Sequence, residues 1–442
     1  MCPETQNANR DKIYIVKAIS IISGKVVSNI TKNLKLGSGS TWPGHVALKA
    51  DPRFIGKFVR KNPHLKIVLI AGTNGKTTTT KALQHILESN GIEAITNNSG
   101  ANLVNGLASS LLHNSNIFGK TKKETLIFEV DENSLPLVLR EIPSPDALVF
   151  LNLFRDQLDR YGEVNTVAEK WKDEISKLSE KTLVVANADD PQIAFLGTLA
   201  KNAVFYSIPD KFKTENDLSH AVDSITCPKC NSPLNFINIA YSHIGNYRCT
   251  NCDFKNPASE SMELFPKLKG NYNLYNLSSA AIAATNIFNV SREKVLASIR
   301  TFTPAFGRQE VISVKGKKIM LLLSKNPTGF NESLKVAAEN NSDTVFLLLN
   351  DRIPDGRDIS WIWDIDFENL KNTGKIFISG DRAYDMANRL YYAGIKSEVF
   401  ENFRTGYKKA MLATENGRIL TILPTYSAML EIRKIISGRK IL

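Results

Sequence analysis

The 442-residue sequence lacks any apolar run close to the roughly 20 residues that a membrane-spanning helix needs. The most apolar stretch near the start, Ile13–Ser23, is broken by Lys17, and no small-residue cleavage site follows it. A spanning segment is thereby excluded, and a secretory leader is not expected. Internal repeats and low-complexity tracts are also missing, which removes solenoid and disordered classes. Cysteine is scarce at five residues, too few for a disulfide scaffold in a chain this long. What remains is an ordinary globular composition, 43% hydrophobic and 23% charged, in a chain long enough for two or three cores.

Acidic residues are scarce in one region only. Residues 1–66 hold 12 basic and 3 acidic side chains, against 44 and 41 in the remainder, and this accounts for most of the net charge of +12. Apolar residues at 13, 16, 19, 22, 26 and 30, with Lys17, Lys25 and Lys32 elsewhere, predict a basic amphipathic helix. It could meet an anionic partner (nucleic acid, lipid surface or phosphorylated substrate) or simply pack on the body with its lysines solvated.

Four of the five cysteines, Cys227, Cys230, Cys249 and Cys252, form two CxxC pairs separated by 18 residues. That spacing predicts a zinc ribbon, two knuckles bringing four thiolates to one tetrahedral ion; a redox pair is the alternative. Four thiolates close the coordination sphere, so such a zinc would stabilise rather than catalyse. Intact thiolates also favour the cytoplasm.

Ile67–Ala71 is an apolar run that predicts a buried parallel strand. It is followed by Gly72-Thr73-Asn74-Gly75-Lys76-Thr77-Thr78 and then a helical pattern through Leu83, Ile86 and Leu87. Strand, glycine loop, Lys-Thr and helix make a phosphate-binding loop, although Ile70 stands where the usual pattern has another glycine. Lys76 would reach the outer phosphates, and the Thr77 hydroxyl would bind magnesium. Further strands are predicted at Thr125–Val130, Ala147–Leu151, Thr182–Ala186 and Val204–Tyr206, alternating with helices as in a mainly parallel sheet. The first of these strands ends in Glu129-Val130-Asp131-Glu132, at the edge where doubly wound sheets bind ligands, and Glu129 is chosen as the second magnesium-directed group. The chain thus divides into a basic N-terminal segment (1–65), a central nucleotide-binding domain (66–305) with an insertion at about 210–265, and a C-terminal α/β domain (306–442). Strands of this last unit are predicted near 318–323, 344–349 and 375–379.

Ile70–Thr78 resembles the nucleotide loop of the Mur ligases and folylpolyglutamate synthases, which use ATP to turn a carboxylate into an acyl phosphate for an amine to attack. Four more segments resemble theirs in order: Asn152–Asp159, Asn187–Asp190, Gly270–Asn276 and Gly307–Glu310. The resemblance implies a Mur ligase-like α/β fold, with Asn276 facing adenine and Arg308 adding a positive charge or a closure contact. Departures are informative. Gln157 replaces a histidine, Lys325-Asn326-Pro327 replaces His-Asn-Pro, and Leu322 replaces the aspartate upstream of it. Neither Lys170 nor Lys172 falls in register with a carbamylated lysine. With about 65 residues before the loop, the large N-terminal substrate domain is not expected. Ordinary amino-acid addition by a partnerless ligase is therefore disfavoured. A nucleic-acid ATPase is disfavoured too, since Cys227–Cys252 carries only Lys229 and Arg248 as charges.

The insertion, Asn98-Ser99-Gly100-Ala101-Asn102 and the run Asp355–Asp364 extend the resemblance to the ligase-like subunits of lipid II isoglutaminyl synthase. It implies amidation of the α-carboxylate of D-glutamate in the lipid II stem peptide, with ATP, Mg2+ and Zn2+ as cofactors. With four cysteines clustered and Cys2 terminal, this chain has no spare nucleophile for glutamine hydrolysis, so ammonia is free or comes from another polypeptide. The resemblance implies the latter, a GatD-like glutaminase whose Cys and His are completed by an aspartate of this chain. Asp355 is the choice and Asp358 the fallback. The pair would act in the cytoplasm, on lipid II at the inner membrane face.

Overall fold

The computed structural model describes residues 41–97, 101–156, 164–303, 307–340, 342–371 and 373–437. The predicted helix at 13–30, Cys2, Asn98–Gly100, Gln157–Asp159 and residues 304–306 of the junction lie outside the described residues.

Six strands form the first sheet: β1 (Lys66–Ala71), β2 (Ala94–Thr96), β3 (Thr125–Val130), β4 (Ala147–Phe150), β5 (Leu183–Asn187) and β6 (Ala203–Tyr206). Their spatial order is β2-β3-β1-β4-β5-β6, and every pairing is parallel. Helices cover both faces, so the inner strands read as largely apolar runs, with Glu129 of β3 the acidic exception. The pleat divides β1 between two cores. Ile67, Leu69 and Ala71 join one with Phe150 and Trp171, whose rings stack at 4.9 Å; Val68 and Ile70 join the other with Leu83, Ile86 and Ala280. The helices Lys76–Glu88 and Asn271–Phe288 pack side by side on that second face. Successive strands leave β1 in opposite directions, to β3 on one side and β4 on the other, which opens a crevice at their carboxyl ends.

An antiparallel ribbon, β7 (Leu234–Tyr241) with β8 (Ile244–Cys249), carries the cysteines. The C-terminal sheet contains β9 (Arg308–Val314), β10 (Lys317–Leu322), β11 (Thr344–Leu348), β12 (Lys375–Ser379), β13 (Glu398–Val399) and β14 (Ile419–Pro424). Its order is β13-β12-β11-β14-β10-β9, parallel except for β9 at the edge. The last long strand, β14, fills the centre between β10 and β11. Its run Ile-Leu-Thr-Ile-Leu-Pro satisfies the same apolar criterion as β1, yet sequence reading did not assign it.

Candidate functional site: a nucleotide cleft with a separate cysteine cluster

The loop after β1 is held from below by the segment after β4. Thr73 N–H donates to the Asn152 carbonyl (2.9 Å), and Asn74 N–H donates to Asn152 Oδ1 (2.9 Å). Thr73 Oγ1 donates to the Phe154 carbonyl and accepts from Phe154 N–H, each at 3.0 Å. Gly72 (φ +145°) and Gly75 (φ +92°) permit the turn; an added Cβ on Gly72 would lie 2.8 Å from Leu151 Cβ. The loop leads directly into the helix Lys76–Glu88, whose dipole favours an anion at its start.

Lys76 and Thr77, both buried, already engage carboxylates. Lys76 Nζ donates to the carbonyls of Gly72 and Thr73 and lies 3.2 Å from both oxygens of Glu132. Thr77 Oγ1 donates to Glu129 Oε2 at 2.6 Å, while Asn97 fixes the Glu129 backbone on both sides. The pair Thr77–Glu129 offers two oxygens to a hard cation. Burial pushes the Glu132 carboxyl up, against the pull of Lys76 and Lys325. Of the acids at this strand end the sequence points to Glu129 and gives Glu132 no role; only tertiary packing puts Glu132 against Lys76.

In front of the loop is an open cleft lined among others by Asn74, Gly75, Asn276, Arg308, Tyr241 and Glu332. Asn276 thus lies beside the loop, its amide packed on Gly75. Arg308 enters from β9 of the C-terminal unit; its guanidinium makes no hydrogen bond or ion pair among the described residues. Burial lowers its pKa, with Glu129 the main charge opposing that. The C-terminal unit also touches the loop directly. Asn326 Nδ2 donates to Asn74 Oδ1 at 3.0 Å, and Lys325 ion-pairs with Asp156. Burial alone would lower the Lys325 ammonium, but Asp156 and Glu132 together raise it. Asn326 also caps the helix Pro327–Glu339 through Gly329 N–H.

Asp355 stands apart from the loop. It is 4% exposed, and its oxygens accept from Ser427 N–H (2.7 Å) and from the Ser427 hydroxyl. Burial raises its pKa against those bonds. Burial raises the Tyr426 hydroxyl, and the charges of Glu129 and Asp355 add to that. Asp358 Oδ1 accepts from Ser360 N–H at 2.8 Å. Lys170 donates to Asn133 Oδ1 (3.1 Å) and Lys172 pairs with Glu169 (3.3 Å), both at the exposed surface.

The four cysteine sulfurs lie within 4.8 Å of one another, with Cys230–Cys249 at 3.5 Å and Cys227–Cys252 at 3.7 Å. A tetrahedron of Zn–S bonds of about 2.3 Å has sulfurs about 3.8 Å apart, so the set fits zinc. Among the described residues no disulfide forms, and no helix is long and apolar enough to cross a membrane.

Comparison with known proteins first gives the class. Residues 70–284 match the Mur ligase middle domain. The fold is shared with a pseudomurein peptide ligase type C from Methanothermus fervidus (TM-score 0.66, 22% identity, 88% of this chain and 81% of that one). It is a Mur ligase-type enzyme. Residues 323–429 match the MurT ligase C-terminal domain. The MurT subunit of lipid II isoglutaminyl synthase (glutamine-hydrolyzing) from Staphylococcus aureus is 32% identical over 411 residues, covering 88% of this chain and 91% of that protein. Its Streptococcus pneumoniae counterpart is 31% identical over 431 residues, 92% and 94% of the two chains. The chain belongs to the MurT family.

Proposed function

We propose that this chain is the ligase subunit of a glutamine-dependent amidotransferase that converts the D-glutamate α-carboxylate of the lipid II stem peptide to D-isoglutamine. A carboxylate resists nucleophiles through resonance and charge. Its oxygen attacks the γ-phosphorus of ATP, ADP leaves, and the resulting acyl phosphate is attacked at carbon by ammonia. Phosphate then departs with the C–O bond, and the nitrogen loses a proton. Phosphoryl transfer mainly needs positioning and charge neutralisation. Gly72–Thr78 and Arg308 would hold the phosphates, and Asn276 the adenine. Lys76 would exchange Glu132 for the outer phosphates. Magnesium, held by Thr77 and Glu129, would neutralise phosphate charge. The observation that carries this reading is the 2.6 Å Thr77–Glu129 bond beside a buried lysine at a glycine loop.

A GatD-like glutaminase would supply the ammonia, and Asp355 would orient its histidine. Since Ser427 engages both Asp355 oxygens in the free chain, docking must share or replace one of those bonds. Asp358 is the alternative. The pair would work on lipid II at the inner membrane face. The test is to give the purified pair glutamine, ATP and lipid II. The precursor should shift to its amide mass with one ATP consumed, and Lys76→Ala should end ATP turnover while leaving the fold intact. Amidation without ATP, or an unchanged precursor, refutes the proposal.

A further inference from the structure

The cysteine-bearing insertion is tied to more than its own domain. Arg155 lies between Phe154, which braces Thr73, and Asp156, which pairs with Lys325. Its backbone N–H donates to Asp223 Oδ2 at 3.1 Å, and its Nε lies 2.9 Å from Asp223 Oδ1, both on the insertion. Its Nη1 lies 3.2 Å from Asp364 Oδ2, on the C-terminal unit. One guanidinium therefore joins three parts of the chain, at a pocket it shares with Asp156, Lys325 and Asn326, the last of which bonds Asn74 of the glycine loop.

Two further bridges run from the insertion to the C-terminal unit. Glu215 pairs with Lys335 at 2.5 Å, and His220 Nδ1 lies 2.6 Å from Asp366 Oδ1. Glu215 is anchored to β7 by a reciprocal backbone pair with Ile239, at 2.9 and 2.8 Å. The same strand ends at Tyr241, which lines the nucleotide cavity opposite Glu332 and Thr328 of the C-terminal unit. Asp223 N–H donates to Nδ1 of the buried His243 at 3.3 Å, just past the end of that strand, which ties the bridging segment to the ribbon.

We propose that Arg155 is a positioning residue through which the insertion braces the C-terminal unit over the nucleotide, setting how much of the protein is closed and competent to bind. This rests on the cleft being the ATP site. The physical reason is geometric: a planar guanidinium presents donors in fixed directions and can hold two carboxylates on different bodies, whereas an ammonium on a flexible stem orients them less rigidly. Apparent affinity is the intrinsic affinity multiplied by the closed fraction, so loosening the brace raises the apparent Kd and KM for ATP. Turnover at saturating ATP is restored, because the nucleotide itself then supplies the closure.

The test uses the full chain with its glutaminase. Asp364→Asn removes the C-terminal link while leaving Arg155–Asp223 in place, and Asp364 is partly exposed, so the fold is retained. Binding of ATP with magnesium is measured by titration, alongside kcat, KM and the melting temperature. A Kd and KM about three- to tenfold higher, with unchanged melting temperature and kcat, is the expected result. Arg155→Lys should give a similar rise, and combining it with Asp364→Asn should add little, because both sever the same bridge. Unchanged Kd for Asp364→Asn, or a lower kcat with unchanged KM, overturns the brace. If Arg155→Lys misfolds, Asp364→Asn alone decides. A wild-type pair that binds no ATP overturns the nucleotide reading itself, and the brace with it.

Discussion

Gly75 is the position where a single methyl group interrogates the whole cleft. Its φ of +92° lies in the left-handed region, and an added Cβ would sit 1.9 Å from Asn276 Oδ1 and 2.7 Å from its Cγ. Asn276 has little room to yield. It is 4% exposed, its backbone carbonyl accepts from Thr79 Oγ1 (3.2 Å) and Ser279 Oγ (2.8 Å), and its side-chain Nδ2 donates to Asn273 Oδ1 (3.5 Å). For Gly75→Ala the backbone strain costs about 1–2 kcal/mol. Overpacking adds about 1–3 kcal/mol. The sum, about 2–5 kcal/mol, corresponds to a roughly 30-fold to several-thousandfold loss if it falls on the nucleotide-competent loop. Calorimetric titration with ATP and magnesium reads the affinity, and denaturant unfolding reads the stability. Because Asn276 is proposed to contact the base, the control Gly75→Ala/Asn276→Ala is read in stability. It should recover the overpacking share and leave the strain. Gly75→Ala binding ATP within threefold of wild type at unchanged stability would refute the reasoning, as would a double variant no more stable than the single.

Three other outcomes are expected. Burial pushes the Glu332 carboxyl up to about 7 against the pull of Lys335. The folded state then holds this proton more tightly than the unfolded chain, so the contribution is full at low pH and is lost as pH rises from about 4.5 to 7. Unfolding of wild type against Glu332→Gln across that range should show the difference falling by up to about 3 kcal/mol; a flat difference contradicts it. Metal analysis should find one zinc per chain, released by a chelator with a lower melting temperature as the packing of Cys227, Tyr247, Cys249 and Phe254 is lost. Retention of zinc by Cys249→Ser would remove the four-cysteine assignment. Asp355→Asn keeps an oxygen for Ser427 N–H, so the fold should persist. Glutamine-dependent amidation should end while ammonia-dependent amidation continues, and equal loss of both would exclude Asp355 from the triad.

The loop, the apolar strands and the two CxxC pairs were legible because each is a local pattern with one physical solution. A doubly buried strand must be apolar throughout, a phosphate cradle needs glycine and Lys-Thr, and four thiolates must converge to share an ion. The sequence by itself therefore determined the class of fold, the position of the glycine loop after β1 and the cysteine set. Only the tertiary structure decided which strand-end acid meets Thr77 and which meets Lys76, since Glu129 and Glu132 differ by three residues and carry the same side chain. It alone turned Asp355 onto Ser427 and placed Asn326 against Asn74, 252 residues away. Such pairings depend on how two sheets lie against each other, and no periodicity or spacing along the chain encodes that distance.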